Sequence, residues 1–267
     1  MTPFGSLGAQ QSGVRDPFVG DWRQPGARCN TALDMLVRAG TIYFDVDAVL
    51  LDKDGTLIDL VATWSPAGRR FIEVASGGRA DLAARLGEAI GVSNGKVVPD
   101  GVLAAGTMEE LARTALRVLR MSDAPDPREA VARAVEASSR TAVACAAPIG
   151  DVQAAIDRLE RCGIALAVVT NDDTEPSITT LQALGIGHLP VVGADLGYSP
   201  KPEPETMLAA CALLGADPAR TVYVGDSAID ETAARSAGLL GAIGVGSSSI
   251  PFDATIGALD ELVVDAE

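Results

Sequence analysis

Several residue types are scarce in this sequence, and each scarcity excludes a class of function. Histidine occurs once, at His188, lysine occurs three times, and aromatic residues make up 4% of the 267 residues. A Ser-His or Cys-His mechanism would have to use His188, and no GxSxG nucleophile motif accompanies it. We therefore expect any catalysis by this chain to depend on carboxylates.

The cysteines are few and show no CxxC spacing. This pattern indicates buried or free thiols in a reducing compartment, and it argues against a zinc site or a disulfide framework. No apolar run approaches the roughly 18 to 20 residues that cross a bilayer, and the N-terminus lacks the basic and apolar stretches of a secretory signal. We expect a soluble cytoplasmic protein with no membrane partner, either a monomer or a homodimer. The cysteines are Cys29, Cys145, Cys162 and Cys211.

The net charge is strongly negative, at −15 with a sequence pI near 4.4. A sequence-independent nucleic-acid binder needs a basic face, so we expect no nucleic-acid partner. An acidic surface also repels phosphorylated substrates, unless a bound divalent cation and a few well-placed side chains neutralise the charge locally.

The order of apolar and amphipathic segments predicts an α/β fold. Residues 1–40 are rich in Gly, Gln, Pro and Arg, and we expect a poorly ordered tail there, with a short helix around Thr31–Arg38. Beyond it, apolar runs alternate with helical patterns, which is typical of a Rossmann-like parallel sheet with helices on both faces. The predicted strands are Val46–Leu51, Ile164–Val169, Pro190–Val192, Thr221–Val224 and Leu240–Val245; the predicted helices between them are Asp151–Arg161, Glu175–Leu184, Pro204–Leu214 and Ala228–Ala237.

Residues 61–147 interrupt this alternation with helical patterns alone. We expect an inserted all-α cap domain at 61–147, and a core domain formed by 41–60 and 148–267. The run Thr107–Glu110 has the form of a capping box, which predicts the start of a helix. The expected cap helices are Pro66–Ala75, Arg79–Ile90, Met108–Arg120 and Pro127–Cys145.

Polar residues follow the ends of the predicted strands. Ligands of open parallel sheets bind beyond the carboxyl ends of the strands, so these residues are expected to converge. Several carboxylates around one ammonium group would be costly without a cation, and oxygen ligands suit Mg²⁺. Phosphoryl transfer fits such a site, because it depends on positioning and charge neutralisation. The residues are Asp52, Asp54, Thr170, Asn171, Lys201, Asp226 and Asp230.

These residues lie in motifs that resemble the four signatures of the haloacid dehalogenase superfamily. Asp52–Thr56 matches the DxDGT signature after an apolar strand, and Val168–Asn171 resembles the second signature. Lys201 before Pro202 resembles the third, and Gly225–Asp230 has the GDxxxD form of the fourth. All four occur in family order over about residues 45 to 250.

The resemblance implies a role for each residue. Asp52 is implied as the nucleophile and a metal ligand, and Asp54 as the general acid and base that gives Mg²⁺ its backbone carbonyl. Asp226 is implied as the third metal ligand. Thr170, Asn171 and Lys201 are implied as phosphate binders, with Asp230, Gly55 and Thr56 in support.

Other candidates remain beside these. Asp45 and Asp47 form a second DxD without the Gly-Thr, and we interpret them as strand-entry residues. We expect the Lys53 side chain to point to solvent, and Trp64 to pack the hinge of the cap. Further candidates with two interpretations are Asp172 and Asp173 (outer support of the site or a helix cap), Arg69 and Arg70 (a solvated helix face or a substrate anion) and Lys96 (a loop or a specificity residue).

The resemblance also separates related chemistries. Dehalogenase and phosphonate-cleaving members lack a carboxylate at the position that corresponds to Asp54. Mutases often have Val at the position that corresponds to Thr56. A helical insertion at this place is similar to the cap of phosphoglycolate-phosphatase-like members, and a cap that closes favours a small substrate. We expect a Mg²⁺-dependent phosphatase acting on a small phosphorylated metabolite, phosphoglycolate-like or a sugar phosphate. The alternatives are a phosphotransferase or mutase, and an inactive protein that binds a phosphorylated ligand.

Overall fold

The structure, a computed structural model, describes residues 35–246 and 249–266. The strands are Met35–Ala39 (β1), Ile42–Asp45 (β2), Ala48–Leu51 (β3), Val92–Ser93 (β4), Lys96–Val97 (β5), Ala165–Val169 (β6), Val191–Val192 (β7), Thr221–Gly225 (β8), Gly241–Val245 (β9), Ala254–Ile256 (β10) and Val263–Ala266 (β11). The helices are Leu60–Ser76 (α1), Ala80–Ile90 (α2), Val102–Ala105 (α3), Met108–Arg120 (α4), Pro127–Ala144 (α5), Val152–Arg161 (α6), Thr174–Ala183 (α7), Glu205–Leu214 (α8) and Ala228–Ser236 (α9).

The core is a six-stranded parallel sheet with the order β10-β9-β8-β3-β6-β7. Strand β3 lies between β8 and β6, and all four of its side chains are buried. Successive side chains of a strand point to opposite faces. Val49 and Leu51 accordingly pack in the cluster that contains Ile156 of α6, whereas Leu50 packs with Met207 of α8 on the other face. The predicted fold class is confirmed, and each predicted strand overlaps one of these six.

A second, antiparallel sheet joins the first described residues to the last, with the order β11-β1-β2. In β1, Val37 and Ala39 are buried while Leu36 and Arg38 are partly exposed, which is the two-residue period of a strand. The expected helix around Thr31–Arg38 is therefore wrong over Met35–Arg38, and the tail expected over 1–40 is wrong from Met35 onwards. Residues 1–34 lie outside the described residues.

The insertion between β3 and β6 carries its own apolar core. Phe71 of α1 packs there with Leu86 of α2 and Leu111 of α4, and Ser138 of α5 donates to the carbonyl of Ala67 across the pair α1–α5 at 3.1 Å. All four predicted helices are present, at slightly different bounds. The insertion also contains the short hairpin β4–β5 and the helix α3, which the expectation of helical patterns alone did not include.

Two local features position the insertion. The capping box at α4 is confirmed, since Thr107 Oγ1 accepts from the Glu110 amide at 3.2 Å and the Glu110 carboxylate accepts from the Thr107 amide at 3.0 Å. The two connections to the core run side by side, because the Asp59 amide donates to Ala147 O at 2.8 Å and the Ile149 amide donates to Leu57 O at 3.0 Å.

None of the helices in the described ranges is long and apolar enough to cross a membrane.

Candidate functional site

The predicted site residues meet at the carboxyl edge of the parallel sheet. Asp52 follows β3, Thr170 follows β6 and Asp226 follows β8, while Lys201 comes from the loop before α8. A cavity of about 370 Å³ lies between this edge and the insertion, and all four residues line it. Sequence order alone could not show that this edge faces the inserted helices.

Asp52 is held from two directions. Its amide donates to the carbonyl of Val224 on β8 at 2.8 Å, and its carboxylate accepts from Lys201 Nζ at 2.6 Å. Lys201 Nζ also lies 2.6 Å from Asp230 Oδ1. Lys201 is only 7% exposed and Asp52 5%, so this ion network is shielded from water. The ammonium is shared between the two carboxylates.

Tyr223 is a further member of this network, and its sequence context did not indicate it. Lys201 Nζ donates to its hydroxyl at 2.8 Å, and the hydroxyl lies 3.1 Å from the carbonyl oxygen of Val169 and 3.2 Å from Asp230 Oδ1. Burial raises the pKa of Tyr223 well above its usual value, so the phenol stays protonated and can donate. Tyr223 lies within an apolar run that predicts a buried strand, so the sequence did not indicate a polar role for its hydroxyl.

Asp230 fixes both the lysine and the turn that carries Asp226. Its Oδ2 accepts from the Ser227 hydroxyl at 2.6 Å and from the amides of Ser227 and Asp226 at 3.0 and 3.2 Å. Burial opposes the ionisation of this carboxyl, but Lys201 and the Ser227 donors outweigh burial and keep its pKa low. Asp230 is therefore ionised and saturated with protein donors.

Asp54 is bound by residues of both the core and the insertion. Trp64 Nε1 of α1 donates to its Oδ1 at 2.5 Å, and Lys53 Nζ lies 2.6 Å from its Oδ2. Lys53 also pairs with Asp172 Oδ2 at 3.1 Å and lies over the Trp64 ring at 5.5 Å. The expectation that Lys53 points to solvent is wrong, because the residue is 1% exposed. Asp172 is thereby a supporting residue of the site.

The Asn171 side chain joins the loop of Lys201 to the insertion. Its Oδ1 accepts from the Lys201 amide at 2.9 Å, and its Nδ2 donates to the Lys201 carbonyl at 2.9 Å and to Ala105 O of α3 at 3.4 Å. The hydroxyl of Thr170, beside it, accepts from the Asp172 amide at 3.1 Å. Thr170 and Asn171 both line the cavity, and the side chain of Asn171 also holds the backbone of Lys201 in place.

Gly55 and Thr56 shape the turn after Asp54. Gly55 has φ +90, and a Cβ atom on it would collide with the carboxylate of Asp226. Only glycine adopts this conformation without strain and leaves room for that carboxylate. Thr56 is fully buried beneath the turn.

The acidic residues fit a hard divalent cation. Oxygen atoms of Asp52, Asp226 and Asp230 lie within 4.8 Å of one another. Burial, followed by the charge of Asp230, raises the pKa of Asp226 to about 7, and burial raises that of Asp52. Carboxylates that are costly to ionise alone are stabilised by a cation such as Mg²⁺. Because Asp230 is saturated by protein donors, Asp52 and Asp226 are the carboxylates best able to bind it.

The second DxD lies away from the cavity. Arg220 binds Asp45 through both terminal nitrogens at 2.8 and 2.9 Å, and its Nε donates to Asp47 Oδ2 at 3.0 Å. These pairs connect the segment around β2 to the start of β8, and they give both aspartates a structural role. His188 is also remote, at 2.9 Å from Glu160 on an exposed surface.

The remaining candidates lie on the surface of the insertion or at a helix start. Arg69 Nη1 donates to Gly95 O at 2.5 Å, and Arg70 pairs with Glu73 at 2.9 Å, so both arginines belong to a solvated helix face. Lys96 is exposed in β5. Asp173 occupies the N-cap position of α7, with no capping hydrogen bond from its side chain.

Comparison with known proteins identifies the family of this chain. The model of the haloacid dehalogenase-like hydrolases matches residues 46–238, which include the four signature motifs around Asp52, Thr170, Lys201 and Asp226. The chain belongs to this family. It is 33% identical over 204 residues to a plasmid-encoded phosphoglycolate phosphatase of Cupriavidus necator, in an alignment that covers 74% of this chain and 80% of that protein.

Other relatives agree with this assignment. A phosphoglycolate phosphatase of Caulobacter vibrioides is 36% identical over 115 residues, which is 42% of this chain and 48% of that protein. The crystal structure of a predicted phosphoglycolate phosphatase from Haemophilus somnus has the same fold, with a TM-score of 0.61 and 21% identity over 80% of this chain and 95% of that one. The chain is thus an enzyme, a haloacid dehalogenase-like hydrolase of the phosphatase type.

Proposed function

We propose that this enzyme hydrolyses a small phosphomonoester with Mg²⁺, through a phosphoryl intermediate on Asp52. One observation carries the proposal: the Asp52 carboxylate is fixed against Lys201 at 2.6 Å and lines a 370 Å³ cavity together with Asp226. Pockets for small ligands measure roughly 300 to 1,000 Å³, so the cavity suits a metabolite.

The first step is attack by an Asp52 oxygen on phosphorus. The bond from phosphorus to the ester oxygen breaks, and Asp54 gives that oxygen a proton. Lys201 offsets the charge on the phosphoryl oxygens and Thr170 donates its hydroxyl to them. Bound Mg²⁺, held by the carboxylates of Asp52 and Asp226 and the backbone carbonyl of Asp54, would neutralise the same charge.

The second step releases phosphate. Asp54, now ionised, accepts a proton from a water molecule that attacks phosphorus, and the bond to Asp52 breaks. Trp64 and Lys53 hold the two oxygens of Asp54, which orients this carboxyl group and stabilises the ionised form that takes the proton in this step.

The test is phosphate release from p-nitrophenyl phosphate and a panel of small phosphomonoesters, with and without Mg²⁺. We expect Asp52→Asn to abolish turnover, and EDTA to do the same until Mg²⁺ is restored. The matched control is Asp45→Asn, which makes the same change in the second DxD and should retain activity. Turnover that survives Asp52→Asn or persists in EDTA would contradict the mechanism.

A further inference from the structure

The wall of the cavity that faces the carboxylates is formed by the insertion, and it is mostly apolar. Leu60 and Trp64 of α1, Leu103 of α3 and Met108 of α4 line it, and the loop before α3 adds the solvent-exposed carboxylate of Asp100 at its edge. A phosphoryl group seated at Asp52 directs the rest of its ester towards this wall. The wall would therefore contact the leaving group.

Two cationic side chains at the carboxylate side of the cavity, those of Lys201 and Lys53, are already paired with carboxylates. Among the described residues that line it, Lys201 is the one with a cationic side chain, and it lies between Asp52 and Asp230. Lys53, behind the cavity, lies between Asp54 and Asp172. Each lysine thus faces two negative charges. A bound phosphoryl group would be a third negative group beside Lys201.

A leaving group with a second negative charge would meet an unfavourable environment. Its carboxylate or second phosphate would lose water against Leu103 and Met108, and it would approach the like charge of Asp100. An anion that loses water against an apolar surface without gaining a cationic partner is destabilised. An uncharged leaving group with hydroxyl groups avoids both costs.

We propose that the substrate is a phosphomonoester of an uncharged alcohol, such as a polyol or neutral sugar, and that the enzyme discriminates against phosphomonoesters carrying a second anionic group. Asp100 is the specificity-determining residue. This inference rests on the proposed function, and it selects the sugar-phosphate class over the phosphoglycolate-like class. The names of the curated relatives favour the opposite order, so the two can be separated experimentally.

Two nearly isosteric substrates make the test. 2-Hydroxyethyl phosphate carries a hydroxymethyl group where 2-phosphoglycolate carries a carboxylate. We expect kcat/KM for 2-hydroxyethyl phosphate to exceed that for 2-phosphoglycolate at least tenfold, with glycerol 2-phosphate also preferred. Equal or better turnover of 2-phosphoglycolate would overturn the inference and leave the proposed function intact. No turnover of any ester, p-nitrophenyl phosphate included, would overturn both.

A charge reversal on the wall tests the role of Asp100. Asp100→Lys should raise kcat/KM for 2-phosphoglycolate relative to 2-hydroxyethyl phosphate by at least fivefold, mainly through KM, and added salt should weaken the effect. The matched control is Glu88→Lys, the same change at an exposed position of α2 outside the cavity lining. If Asp100→Lys leaves the substrate ratio as it is, or if Glu88→Lys changes it equally, Asp100 does not determine specificity.

Discussion

Replacing Lys53 by methionine tests the buried cluster around Asp54 most directly. Lys53 is 1% exposed, and its ammonium neutralises both Asp54 at 2.6 Å and Asp172 at 3.1 Å. Methionine keeps most of the side-chain volume and removes the charge. Two carboxylates would then face each other in a site that water reaches poorly.

The magnitude follows from the burial of Asp172. Removing one partner of a buried ion pair costs about 3 to 5 kcal/mol, because the other charge is left unpaired. Asp172 is 8% exposed, and burial raises its pKa even with Lys53 present. A carboxyl whose folded-state pKa is raised becomes more costly as pH rises, so we expect a loss of about 3 to 4 kcal/mol at pH 8 and a smaller loss at pH 5.

Chemical denaturation at the two pH values measures this loss, with Lys96→Met as the matched control at an exposed lysine. The double variant Lys53→Met with Asp172→Leu should recover much of the stability, since both charges are then removed. A loss below about 1 kcal/mol at pH 8, or one that grows towards pH 5, would refute the electrostatic reasoning.

Activity gives an independent measurement of the same cluster. Without Lys53, the Asp54 carboxyl would keep the bond from Trp64 as its side-chain contact within the described residues, so the group would be less well oriented for proton transfer. General acid catalysis contributes roughly 10²- to 10⁴-fold, and we expect Lys53→Met to lose about 10- to 100-fold on alkyl phosphates. The loss on p-nitrophenyl phosphate should be smaller, because p-nitrophenolate leaves without a proton. Equal losses on both substrates would contradict a role in positioning the acid.

Three further predictions concern the turn that carries Asp226 and the partly exposed carboxyl of Asp173. Gly55→Ala should lower the free energy of unfolding by about 1 to 3 kcal/mol and should weaken Mg²⁺-dependent activity, because the alanine Cβ would displace the Asp226 carboxylate. Activity of this variant that is retained at low Mg²⁺ would contradict the prediction. Mg²⁺ at 100 times its Kd should stabilise the wild type by about 2.7 kcal/mol in thermal denaturation, and it should stabilise the Asp226→Asn variant far less. Equal stabilisation of the two proteins would exclude Asp226 as a ligand. Burial and the charges of Asp172 and Asp195 raise the pKa of Asp173 to about 6, so its ionisation destabilises the fold as pH rises from about 4 through 6. Asp173→Asn should therefore gain about 1 kcal/mol at pH 7.5, after allowance for its partial exposure, and almost nothing near pH 4.5; a gain independent of pH would contradict the assignment.

The sequence predicted the meeting of distant site residues because strand ends of a parallel sheet share one edge. Asp52, Thr170 and Asp226 each follow a buried apolar run, and such runs are visible without a structure. The direction of a side chain in a turn is not visible in this way. Lys53 was therefore expected in solvent, and its burial depends on Asp172, which is 119 positions away.

The small antiparallel sheet escaped prediction for a related reason. Its strand β1 pairs with β11 from the far end of the described chain, with Val37 opposite Val264. Strand β2, on the other side of β1, exposes the neighbouring residues Ile42 and Tyr43. Short strands with exposed apolar residues have little local periodicity. Tyr223 was missed because an aromatic residue inside a buried strand indicates packing, and only the structure places its hydroxyl beside Lys201.

The central position of β3 has a consequence for how the protein folds. Both neighbours of this strand, β6 and β8, follow the inserted helices, and Asp52 is separated from Lys201 by 149 positions. Contacts between distant segments form late, because a long loop must close before they contribute. During synthesis, Asp52 and its strand are among the first parts of the core to be made and among the last to find their partners. The helices of the insertion can form from local contacts in the meantime, so we expect a helical intermediate to precede the assembled catalytic edge.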